Sequence, residues 1–143
     1  MRLVLVGLNH KTAIVEVREN FSFSPSSLEI ELDRLRERGG INECVILSTC
    51  NLVEVYAVTE NEECIEEIKL FLSEFHIVPL QFFSRYLYFL IEHAVIRHLF
   101  QVTSSLDSMV VGEPQPRQNT VTTPLLTLAP ANGWYYSYNI PIF

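Results

Sequence analysis

The sharpest chemical feature of this 143-residue chain is Ser48-Thr49-Cys50-Asn51. Cys50 falls where an apolar run, residues 44–49, gives way to a short connection, so a loop can present its sulfur. Its polar neighbours can donate hydrogen bonds to an oxyanion. A thiolate there would serve as a nucleophile. The competing reading is a small buried hydrophobe, the usual state of a free cysteine; Cys44 and Cys64, set inside apolar faces, are read as core. His98 lies beside the Leu99 and Val102 stripe of a helix and by itself reads as a structural histidine. His10 follows the first strand, His93 precedes the third helix, and His76 ends the second, where the helix dipole favours a cation. Spacing alone assigns none of them a role. Three widely spaced cysteines without a C-x-x-C pair argue against both a disulfide framework and a zinc site. Neither a G-x-G-x-x-G fingerprint nor a P-loop occurs.

The elements that must position these residues follow from hydrophobic periodicity. Residues 2–9 are rich in Leu and Val and predict a strand. Ser24-Pro25 predicts a helix start, with Leu28, Leu32 and Leu35 on one face and Gly39-Gly40 as the stop. Residues 44–49 and 53–58 predict two strands joined by a short connection at 50–52. Asn61 is placed to cap a second helix, whose buried face is Ile65, Ile68, Leu72 and Phe75. Glu62, Glu63, Glu66 and Glu67 form the solvated first turns of that helix and suit its dipole. Pro79 breaks the pattern. Residues 86–91 predict a fourth strand, and Val95, Leu99, Val102, Leu106 and Met109 a third helix. The order β-α-β-β-α-β-α is that of a ferredoxin-like split βαβ with an added C-terminal helix. The expected class is therefore α+β, an antiparallel sheet with helices packed on one face. From Pro114 to Phe143 only Arg117 is charged, prolines recur, and no helical or strand period is usable. That tail is assigned no domain.

Composition bounds the rest. With 48% hydrophobic and 19% charged residues, the chain has enough apolar surface for an ordered core. A net charge of −7 and a pI near 5.0 do not favour nucleic acid as a general partner, because phosphate binding needs clustered Lys and Arg. The longest apolar stretch, residues 86–91, is too short to span a bilayer, and the N-terminus reads as a strand and not as a signal peptide. A reducing cytoplasm is expected, with no membrane partner.

Three blocks, in order and at matching spacing, carry a family resemblance. Gly7-Leu8-Asn9-His10-Lys11-Thr12-Ala13, running on through Val15-Glu16-Val17-Arg18-Glu19, resembles the opening signature of the glutamyl-tRNA reductases. Ser48-Thr49-Cys50-Asn51 followed by Glu54-Val55-Tyr56 resembles their active-site block. His98-Leu99-Phe100-Gln101-Val102, then Leu106-Asp107-Ser108-Met109-Val110-Val111-Gly112-Glu113-Pro114-Gln115, resembles the third. The resemblance implies residues 1–113 as the N-terminal catalytic domain of such an enzyme, with 114–143 a divergent tail. It implies NADPH-dependent reduction of glutamyl-tRNA to glutamate-1-semialdehyde, the first step of the C5 route to 5-aminolevulinate, heme and other tetrapyrroles. Cys50 matches the nucleophile that takes the glutamyl group as a thioester, and a thioester accepts hydride more readily than an oxygen ester. His98 matches a histidine tied to activity. Thr49, Asn51, Leu52, Ser108, Glu113, Pro114 and Gln115 fall at positions lining the glutamate pocket. Glutamyl-tRNA is the implied partner, with glutamate-1-semialdehyde aminomutase as a second, and homodimerisation is implied through a C-terminal domain that is expected, like the NADPH domain, to lie outside this chain.

The chain departs from the family pattern at two positions within the blocks. Leu52 stands where the family has an arginine able to hold a carboxylate as a bidentate pair, a loss worth about 2–5 kcal/mol of substrate binding. Ile14 stands where the family has proline. After Gln115 the resemblance ends, with Gln118-Asn119 in place of an expected Gly-Gln pair. On this reading the isolated chain performs at most acylation or ester hydrolysis. Two other readings stay open: a module that binds the tRNA acceptor end without chemistry, and an inactive truncated product.

Overall fold

In the computed structural model, residues 1–24, 28–49, 51–103, 125–129 and 136–139 are described. Strand β1 (Arg2–Asn9) is buried throughout residues 4–9, as its run of Leu and Val suits a central strand covered on both faces. It pairs antiparallel with β3 (Leu52–Thr59) on one side and with β4 (Tyr88–Ile91) on the other. β2 (Ile41–Ser48) pairs antiparallel with the far edge of β3, so β1 and β2 point the same way with β3 between them. The crossover from β1 to β2 runs through α1 (Val15–Glu19) and α2 (Leu28–Arg36). At the chain's end, β5 (Leu125–Ala129) pairs with β2, and β6 (Tyr136–Asn139) with β5. The sheet order is β4-β1-β3-β2-β5-β6, antiparallel at every junction. The α+β class and the antiparallel sheet are as the sequence predicts.

Strand alternation divides the core in two. On one face Val4, Val6, Leu8, Ile46, Val53 and Val55 meet Leu32 and Leu35 of α2 and Ile65, Ile68, Phe71 and Leu72 of α3 (Cys64–His76). On the other, Leu5, Leu47 and Tyr56 meet Val95 of α5 (His93–Thr103). The added helix thus takes the face opposite the first two, and this second face carries the polar cluster described below.

Several local expectations change. The tail, which has no usable strand period, supplies β5 and β6; a hydrogen-bonding edge on β2 decides their conformation, as pairing partners commonly do for β structure. A short helix α4 (Leu80–Phe83) and a 3-10 turn at Ser84–Tyr86 precede β4, which therefore begins at Tyr88 and not at residue 86. Asn61 does not cap α3 directly. Its Oδ1 accepts the Glu63 N–H at 3.0 Å, closing a turn just ahead of the helix, and Glu63 holds the cap position without a side-chain bond. Gly40 does close the α2 connection, at φ 85°, where an added Cβ would lie 2.7 Å from the Cys64 Sγ. Pro25, Leu106 and Met109 lie outside the described residues.

Candidate active site

The connection between β2 and β3 is pinned by a single side chain. Thr49 Oγ1 accepts the N–H groups of Asn51 and Leu52, each at 3.1 Å. The Thr49 N–H donates to the Leu52 carbonyl at 2.8 Å. These are the self-capping bonds that favour Thr in tight turns. Cys50, between Thr49 and Asn51 in the sequence, lies outside the described residues. A second turn sits alongside. Asn9 Oδ1 accepts the N–H groups of Lys11 at 2.9 Å and Thr12 at 3.2 Å, and the His10 N–H donates to the Asn51 carbonyl at 2.9 Å. Asn9 faces Leu52 in register, so both turns share one end of the sheet.

About 7 Å along β3 from Leu52, by the two-residue strand repeat, stands Glu54. It is 0% exposed. The Tyr56 hydroxyl donates to its Oε2 at 2.7 Å, the Tyr88 hydroxyl donates to its Oε1, and His98 Nε2 lies 2.5 Å from that same oxygen. The Tyr88 and His98 rings meet edge-on at 5.7 Å. Burial first, and the Glu54 charge second, push the Tyr56 and Tyr88 phenols far above their ordinary range, so both remain donors. Gly7 makes the arrangement possible. It faces Glu54 on one side and Tyr88 on the other, and an added Cβ would stand 2.8 Å from the Glu54 Cγ and 3.2 Å from the Tyr88 hydroxyl.

A buried acid–imidazole pair can take up a proton or deliver one to a leaving oxygen. The sequence profile described as "Glutamyl-tRNAGlu reductase, N-terminal domain" matches residues 6–117, a span that takes in both turns and the whole polar cluster. The chain belongs to this family. Its relatives include the glutamyl-tRNA reductases of Pelobacter propionicus, 52% identical over 80% of this chain, and Thermodesulfovibrio yellowstonii, 50% identical over 80% of it. The structure is similar to glutamyl-tRNA reductase from Methanopyrus kandleri, with a TM-score of 0.59 and 32% identity over 78% of this chain. The chain spans 27% and 29% of the length of the two bacterial reductases and 24% of the archaeal chain.

Within this glutamyl-tRNA reductase domain, the residues expected at the site divide into three groups. His98 reaches the cluster from α5, and Thr49 and Asn51 build the hairpin tip. Leu52 packs with the apolar group of Leu5, Leu47, Tyr56 and Val95. Cys50, Ser108, Glu113, Pro114 and Gln115 lie outside the described residues. Ser48 turns to the opposite face, where its hydroxyl accepts the Phe23 N–H at 3.3 Å.

Sequence reasoning assigned no role to Glu54 or Tyr88. The signal for Glu54 was present: a carboxylate in an otherwise apolar, alternating central strand has to find partners inside the protein. Cys44 is core as expected, 2% exposed, its thiol pushed up to about 12 chiefly by burial, and Cys64 is 4% exposed. His76 differs from expectation. Packed against Phe21, Phe23 and Phe75, it is lowered to about 4 by burial, so desolvation outweighs the helix dipole and the ring is neutral. Among the described residues no helix is long and apolar enough to cross a membrane, and no three His, Cys, Asp or Glu side chains gather as metal ligands.

Proposed function

We propose that this domain carries the acyl-transfer half of glutamyl-tRNA reduction. The Cys50 thiolate attacks the ester carbonyl of glutamyl-tRNA, a C–S bond forms, the C–O bond to the terminal ribose breaks, and the ribose oxygen takes a proton as tRNA leaves. His98 is the group suited to manage that proton, taking it from the thiol and returning it to the ribose oxygen. Thr49, Asn51 and Leu52 at the hairpin tip, with Ser108, Glu113, Pro114 and Gln115, are read as the glutamate pocket. The first four strands are read as the ferredoxin-like arrangement. The single observation that most supports this function is the bond between His98 and the buried Glu54 carboxylate, two residues along β3 from Leu52.

The reductant implied by the family is NADPH. The residues here do not fit it: the glycines stand at 7, 39, 40, 112 and 133, which gives no phosphate-binding G-x-G-x-x-G turn. Gly7 is committed to the Glu54 and Tyr88 contact. Reduction of the thioester, homodimerisation, association with glutamate-1-semialdehyde aminomutase and a cytoplasmic setting are read from the whole reductases this domain resembles.

Incubating the chain with glutamyl-tRNA should yield a glutamyl adduct on Cys50, located by intact mass and peptide mapping, and free tRNA should not appear with Cys50→Ser. Equal release from Cys50→Ser would remove the nucleophile. The apolar packing of Leu52 favours one alternative, a non-catalytic tRNA-acceptor-binding module. Salt-sensitive tRNA binding without any adduct on a free thiol would select it.

A further inference from the structure

We infer that Glu54 is a positioning residue for His98, its buried carboxylate holding the imidazole as the Nε2–H tautomer and leaving Nδ1 as the ring's basic nitrogen. The inference rests on the reading that His98 serves Cys50. Which ring nitrogen carries the proton is set by the hydrogen bonds its surroundings offer, and a carboxylate oxygen can only accept, so it calls for an N–H at the nitrogen facing it. Here the carboxylate cannot turn away. Tyr56 holds Oε2, while Tyr88 and His98 share Oε1. Gly7 lets the Glu54 stem lie against the β1 backbone. The helix that carries His98 is itself fixed on the sheet, because Val95, three residues earlier and on the same side, is 1% exposed among Leu5, Leu47 and Tyr56. A leucine at position 54 would bury more cheaply than a carboxylate needing three donors, so a purely structural role explains the residue poorly. Carboxylates bonded to a catalytic or metal-binding histidine fix tautomer and ring orientation in the same way elsewhere.

The test uses the 15N-labelled 143-residue chain and two readouts. Two-bond 1H–15N spectra report the His98 tautomer, and single-turnover transfer from glutamyl-tRNA to Cys50 reports chemistry apart from tRNA binding. Wild type should show the Nε2–H form. Glu54→Leu, which cannot accept a hydrogen bond, should release His98 to a mixture of tautomers. It should also slow transfer by roughly 100-fold or more, the range of a general acid–base contribution, with tRNA affinity kept within about twofold. Glu54→Gln keeps an acceptor without the charge and should fall between the two in rate. An unchanged tautomer in Glu54→Leu, or an altered tautomer with undiminished transfer, overturns the assignment. Should the Leu variant not fold, the Gln variant decides, with about tenfold slower transfer supporting the role and wild-type transfer refuting it. If wild type forms no adduct, the Cys50 reading fails by itself and the tautomer comparison still decides what Glu54 does.

Discussion

Adding one methyl group at Gly7 should unseat the polar cluster. In Gly7→Ala the new Cβ would stand 2.8 Å from the Glu54 Cγ, 2.9 Å from the Val53 carbonyl oxygen and 3.2 Å from the Tyr88 hydroxyl. The first two separations are shorter than real Cβ contacts allow. The carbonyl belongs to the β1–β3 ladder and cannot withdraw without breaking pairing, so the side chains must move. Overpacking of this kind costs about 1–3 kcal/mol. A displaced Glu54 carboxylate that loses one donor adds about 1–3 kcal/mol, since it stays buried. The expected loss is roughly 2–6 kcal/mol, read as a fall in the urea midpoint at unchanged slope. Combining Gly7→Ala with Tyr88→Phe removes the hydroxyl at 3.2 Å. The pair should then cost less than the sum of its single changes, by about 0.5–3 kcal/mol for residues in contact. A loss below about 0.5 kcal/mol for Gly7→Ala, the level of an inert surface change, would refute the steric argument.

Two further perturbations probe other parts of the fold. His76 is lowered from 6.5 to about 4 by burial, so below pH 6.5 the unfolded chain binds a proton that the folded chain refuses. Stability should therefore fall between pH 6.5 and 4 by about 3 kcal/mol more in wild type than in His76→Phe, and level off below that window; parallel unfolding curves for the two proteins would contradict it. Leu52→Arg puts at the hairpin tip the arginine that the family resemblance implies there. It should raise the preference for glutamyl-tRNA over a neutral aminoacyl-tRNA by roughly 30-fold or more, the equivalent of about 2 kcal/mol. Equal acylation by the two in competition would show that position 52 does not face the substrate carboxylate.

The elements around the site were readable in the chain because each carries its own periodic signal. Val4, Val6 and Leu8 alternate with the residues of the opposite face, and Ile65, Ile68 and Leu72 recur at helical spacing; both patterns become buried faces. The Thr49-to-Leu52 turn was equally local, since threonine bonds the backbone two and three residues on. Tail strands β5 and β6 were not readable, because what organises them is the free edge of β2 some eighty residues earlier in the chain. Short α1 and α4 carry too few residues for a period to register.

For the site itself, residue types and order alone identified a reductase-family cysteine block and a histidine worth attention. Chemistry of that kind depends on side-chain identity, which a sequence states outright. That His98 meets Glu54 across 44 positions, that Tyr88 joins them from an edge strand, and that Gly7 leaves the space between, are matters of register and of helix placement. A one-residue slip in β1, β3 or β4 would send these side chains to the other face of the sheet. Burial also reversed the sign of a local rule at His76, where the dipole of α3 favours a cation and the aromatic packing forbids one. Desolvation is a property of everything packed around a group, and so only the tertiary structure could decide it.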